Sequence, residues 1–101
     1  MRAIGVIRTA VSADPRVDGR LVRGLAEARR YDLCRILLIQ PGEYLPTVLT
    51  VQTVLEHRAD AVLAPALAHL GGTERAVALV CDVITPRETV RRGGESPGRH
   101  P

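Results

Sequence analysis

Ala3-Ile4-Gly5-Val6-Ile7, bounded by Arg2 and Arg8, is the stretch that decides the fold. It is too short for a helix and rich in β-branched residues, so it reads as a strand covered on both faces, as in a parallel sheet. Gly5 inside the run marks a close approach of another element. Asp14-Pro15 then opens a helix: the Asp carboxylate accepts from the first free N–H groups, and Pro is pre-set for the first helical position. The spacing predicts a helix over 15–30, with Val17, Leu21, Leu25 and Ala28 on the inward stripe. Arg16, Arg20, Arg23, Glu27 and Arg30 fall on the opposite face. Gly19 and Gly24 each cost about 1 kcal/mol relative to Ala, so this helix depends on its packed face.

Working outward, Leu33 to Ile39 reads as a second buried strand, closed by Gln40-Pro41-Gly42. Residues 46–58 carry Val48, Val51, Val54 and Leu55 at helical spacing among many β-branched residues. A helix is favoured there because neighbouring parallel strands need a crossover. Ala61 to Ala64 is a third strand stopped by Pro65. A short helical segment over 73–81, with Thr73 as its cap and Ala76, Val77 and Val80 inward, leads to a last strand at 83–85. The fold class is therefore α/β: a small parallel sheet of about four strands with helices on both faces, joined by right-handed crossovers. It occupies residues 1–86, and 87–101 form a polar Gly/Pro/Arg-rich tail expected to be disordered. With the first strand between the second and third, the loops 9–14 and 65–72 meet beyond the carboxyl ends of the strands, where such sheets place their sites.

At 101 residues the chain makes one domain. Hydrophobic residues are 46% of the total and almost entirely aliphatic, which supplies a core without a disulfide framework. Only Tyr31 and Tyr44 are aromatic, which excludes base stacking as a mode of nucleic-acid binding. All 14 basic side chains are Arg, the codon bias of a GC-rich genome, so their number is no direct sign of phosphate recognition. Residues 1–35 hold eight Arg against four acids, whereas 36–85 hold two against five. Cys34 and Cys81 lie in apolar surroundings far apart in sequence and read as buried free thiols of a reducing cytosol. The opening apolar run is broken by Arg8 and too short for a secretory signal, and no stretch reaches a membrane span. A cytoplasmic protein without membrane partners is expected.

Residues 2–10 resemble the opening of the serine recombinase (resolvase/invertase) catalytic domain, whose first strand ends in Tyr-x-Arg-Val-Ser. Residues 60–72, Asp60-Ala61-Val62-Leu63-Ala64-Pro65-Ala66-Leu67-Ala68-His69-Leu70-Gly71-Gly72, are similar to its third-strand segment ending in Asp-Arg-Leu-x-Arg. The resemblance covers about residues 2–85 and implies a resolvase-like fold. It also places the family's first active-site arginine on Arg8. The family's nucleophilic serine falls on Ala10, and its aspartate and two arginines fall on Ala68, His69 and Gly72. Phosphoryl transfer needs a nucleophile and several cations to hold transition-state charge, so the resemblance implies the fold and argues against the reaction. Nothing after Pro86 matches the family's long helix and DNA-binding extension.

The residues leave these functional readings. Ser12, just before the helix, serves as a capping or turn residue rather than a replacement nucleophile. Arg8, Ser12, Asp14, Arg16 and His69 are candidates for an anion site at the helix start, the alternative being an Arg8–Asp14 pair that orders the loop. Arg16, Arg20, Arg23 and Arg30 are candidates for weak, salt-sensitive nucleic-acid contact, or a solvated face. His57 suits the carboxyl end of its helix. No catalytic set, metal site or cofactor is expected. The expected function is a non-catalytic binding or regulatory module that self-associates or takes a protein partner. Next come a DNA-associated accessory protein and an enzyme using Arg8 and His69 on a small phosphorylated substrate.

Overall fold

The computed structural model describes residues 1–93. Strand β1 (Arg2–Arg8) is central, flanked by β2 (Asp32–Ile39) on one side and β3 (Ala61–Leu63) on the other. Next to β3 lies β4 (Asp82–Ile84), and then β5 (Thr89–Val90), which runs antiparallel to it. The sheet thus reads β2-β1-β3-β4-β5. Its parallel part is doubly wound, and the order reverses between β1 and β3.

Helix α1 (Pro15–Ala28) covers one face of the sheet. There Ala3, Ile7, Val22, Ala26, Ala61, Leu63 and Ile84 form one core. Helix α2 (Pro46–His57) lies on the other face with the short α3 (Glu74–Val77). Ile4, Val6, Leu37, Val54, Val62, Val77 and Val83 form the core on that side. The alternation Ala3/Ile7 against Ile4/Val6 is the pleat of a strand buried on both faces, as its apolar run predicts.

Several details depart from the sequence reading. α1 packs through Gly19, Val22 and Ala26, while Val17, Leu21 and Ala28 are exposed, so the inward stripe is rotated from the expected one. The reason lies in β1. A Cβ on Gly5 would stand 2.7 Å from Val22 Cγ1, so the helix comes down with Val22 over the one position of β1 that has no side chain. α1 also ends early. Arg30 N–H bonds Glu27 O and Tyr31 N–H bonds Ala26 O with Arg30 at φ +60°, the αL ending usually given to Gly. Arg30 is therefore off the helix and off the arginine face.

The second strand is the sheet's edge rather than a buried strand: Cys34 and Leu38 are exposed, and the ladder slips at Cys34, which is a bulge. Cys81 is buried as expected, and Cys34 is not. α2 is a helix as predicted, but it buries Thr50, Thr53 and Val54 and turns Val48 and Leu55 outward. The two hydroxyls bond Pro46 O and Leu49 O, each at 2.8 Å, which lets threonine face the core without an unpaired donor. The helical segment expected over 73–81 is only the single turn of α3, the loop before it holds a 3₁₀ turn (Leu67–Leu70), and the Thr73 hydroxyl turns back to Leu70 O instead of capping. Residues 87–93 are not tail. Thr85 closes a turn on Glu88 through both backbone and side chain, and that turn delivers β5. The rest of the expected tail, 94–101, lies outside the described residues.

Candidate functional site

The loops after β1 and β3 do meet, and they meet through His69. The Arg8 backbone N–H donates to His69 Nδ1 at 3.0 Å, and Arg8 Nε donates to His69 O at 3.4 Å. His69 Nε2 faces Asp18 Oδ2 at 3.8 Å, and the Ser12 hydroxyl donates to the same carboxylate oxygen at 2.5 Å. A line of side chains thus runs from Ser12 through Asp18 to His69, at the reversal point of the sheet.

This chemistry is inward-looking. Because Nδ1 accepts, the ring proton must sit on Nε2, so the neutral imidazole has no lone pair left for a substrate. His69 is only 4% exposed. Burial lowers its pKa below 6.5; Asp18 pulls the other way, and Arg8 adds to the lowering. It is therefore neutral at physiological pH. Ser12 does not cap the helix and does not touch the imidazole: its hydroxyl donates to a carboxylate in the first turn of α1, where negative charge is favoured. His69 is thereby a tie between loops.

The start of α1 is closed as an anion cradle. Asp14 caps it, with its carboxylate accepting from Arg16 N–H at 3.0 Å and its carbonyl from Asp18 N–H at 3.1 Å, and Pro15 has no N–H to offer. The Asp14 carboxylate stands where an external anion would. The expected Arg8–Asp14 pair is not formed: among the described residues no guanidinium lies within 4 Å of a carboxylate, and the one imidazole–carboxylate approach is that of neutral His69 to Asp18. Instead the Arg8 guanidinium lies over Gly71, whose φ is +59° and where a Cβ would fall 2.7 Å from Nη2. The five anion-site candidates therefore separate. Arg8, Ser12 and His69 gather with Asp18, Asp14 caps, and Arg16 faces a different groove.

That groove lies between α1 and the edge strand. Arg16, Arg20 and Arg23 border it, Ile36 and Leu38 supply its floor, and it encloses about 530 Å³. Of the four nucleic-acid candidates it gathers three and leaves out Arg30. Asp18 and Gly71 are the site residues that sequence reasoning missed. Asp18 sits four residues before Val22, so correct phasing of α1 reveals an acid on a buried stripe. Gly71 carries no comparable signal beyond the Gly-Gly pair itself.

Among the described residues no group of His, Cys, Asp and Glu is placed to hold a metal ion. No helix among them is long and apolar enough to cross a membrane. Comparison with protein-family models, with curated proteins and with solved structures finds no match to this chain.

Proposed function

We propose that this chain is a non-catalytic, recombinase-like binding or regulatory module that self-associates through α2. The observation that carries this is the inverted dressing of that helix, which holds Thr50 and Thr53 in the core and Val48 and Leu55 in solvent, 54% and 62% exposed. Val48, Val51 and Leu55 follow the three- and four-residue spacing of one helix face and border a depression of about 370 Å³ flanked by Thr47 and Gln52. No charged side chain borders it, so a second copy of the same helix meets it without like-charge repulsion. The His69 Nδ1 lone pair, already taken by the Arg8 N–H, and Ala10 at the recombinase nucleophile position support a module without turnover and weigh against the enzyme reading.

Sedimentation or light scattering across micromolar to millimolar concentration tests the proposal. The expected result is a monomer–dimer equilibrium abolished by Leu55→Glu, with the fold retained because Leu55 is exposed. A monomer throughout overturns it. The DNA-associated reading stands second: it retains Arg16, Arg20 and Arg23, but these border an apolar groove rather than a ridge. Duplex DNA titration at low salt tests it, since contact with phosphates weakens steeply as salt rises.

A further inference from the structure

We propose that the outer edge of β2 is a docking site for an extended acidic peptide segment, which adds to the sheet as a further strand. The two ends of the sheet are unlike. At one end β5 is two residues long, a blunted edge. At the other, β2 is eight residues long, paired on one side only by β1, and covered on its outer side by no strand among the described residues. Its outward N–H and C=O groups form a ready template for main-chain pairing, the means by which peptide-binding sheets gain affinity.

Charge selects the occupant. Arg16, Arg20 and Arg23 overhang this edge from α1, and Arg35 rises from β2 itself beside a second depression of about 350 Å³ that shares Arg23 with the first. None of the four guanidiniums has a carboxylate within 4 Å among the described residues. A strand laid along β2 points every second side chain toward α1. Glutamate suits those positions: its methylenes cover Ile36 and Leu38, and its carboxylate reaches the guanidiniums, which bind carboxylates in forked geometry.

A second copy of β2 is the wrong occupant, because two-fold pairing sets this arginine cluster against itself. A duplex is also a poorer match, because phosphates sit on a convex backbone and an apolar floor offers them nothing. The surface is separate from the exposed face of α2, so loss of self-association in Leu55→Glu leaves it intact.

The test uses a fluorescein-labelled peptide of alternating Glu and Val, a Lys/Val counterpart and a labelled DNA duplex, titrated into the full chain by anisotropy at low and moderate salt. The Glu/Val peptide is expected to bind, to protect β2 amides from hydrogen exchange, and to bind about tenfold more weakly to Arg20→Glu/Arg23→Glu. Both arginines are exposed, so circular dichroism is expected to show an unchanged fold; Arg20→Gln/Arg23→Gln provides a second variant. Equal binding of the Lys/Val peptide, no binding of the Glu/Val peptide, or binding of the duplex alone each overturns the proposal. So does oxidative Cys34–Cys34 cross-linking of the free protein at a rate that follows dimer formation, because that places a second copy on the edge.

Discussion

The Arg8 backbone N–H donates to the His69 ring at Nδ1 and, with the longer Arg8 Nε bond to His69 O, ties the end of β1 to the turn after β3, 61 residues further along the chain. The ring bond works only while Nδ1 is unprotonated, and that makes the tie pH-dependent. The folded pKa of His69 lies below the ordinary 6.5, chiefly through burial. The unfolded chain therefore takes up the proton first as pH falls. The contribution is fully present above about 6.5 and declines as pH drops from there toward the lower folded pKa. Urea midpoints measured from pH 8 to pH 5 are expected to fall across that window. In His69→Asn, whose amide oxygen accepts without titrating, the fall is expected to be shallower. An equal slope in both proteins assigns the effect to other groups.

Gly5 and Val22 fix the height of α1 above the sheet. A methyl group at position 5 would lie 2.7 Å from Val22 Cγ1 and 3.2 Å from Ile36 Cγ1, both well-packed neighbours rather than flexible ends. Gly5→Ala is expected to cost about 1–3 kcal/mol by overpacking. Adding Val22→Ala is expected to recover part of that, giving a non-additive double-mutant cycle. Additive losses would place the clash elsewhere.

This contact also explains how far the fold was legible. β1, β2 and β3 and their order follow from apolar runs whose β-branched content and shortness leave few alternatives. The phase of α1 does not, because its closest approach is made by Val22 over Gly5, and hydrophobic periodicity gives no weight to a glycine that makes room. The phase error hid Asp18, and with it the partner of Ser12 and His69. α2 misleads for the opposite reason: threonines that bond the carbonyl four residues back are at home in a core, so Val48 and Leu55 need not be. β5 escaped because two residues carry no period, although the Thr85–Glu88 turn that delivers it is written in Thr-Pro-Arg-Glu.

The helix ends offer stabilising changes. Arg30 and Arg58 sit at φ +60° and +51° just beyond α1 and α2, and Ala59 N–H bonds Val54 O as Tyr31 N–H bonds Ala26 O. Left-handed backbone costs a side-chain-bearing residue about 1–2 kcal/mol. The greater freedom of glycine in the unfolded chain offsets part of the relief. Arg30→Gly and Arg58→Gly are each expected to raise stability by about 0.5–1 kcal/mol. Gly24 is the reverse case: it lies inside α1, and a Cβ there meets nothing within 4 Å. Gly24→Ala is expected to stabilise by about 0.5–1 kcal/mol. Thermal unfolding of the three single variants and their combination checks this, and a loss in any of them contradicts the assigned backbone role.

The two thiols should separate by chemistry as they do by position. Cys81 is 1% exposed, its Sγ lies 3.8 Å from Val77 O, and burial, with Asp82 beside it, pushes its pKa up to about 12. At neutral pH it has almost no thiolate, the form that reacts. Cys34 lies at the exposed bulge of the edge strand, so reagent reaches it without any opening of the sheet. A thiol–disulfide reagent at pH 8 is therefore expected to titrate one equivalent quickly in the native protein and the second only as the chain unfolds. Cys34→Ser removes the fast phase, and Cys81→Ala leaves it unchanged while lowering stability through the cavity it creates. Two fast equivalents in the native state would mean that the core around Val77 and Val83 opens far more readily than its packing implies. The rate at Cys34 is also a probe of the edge itself: a strand bound along β2 is expected to slow it, whereas a partner on α2 is not.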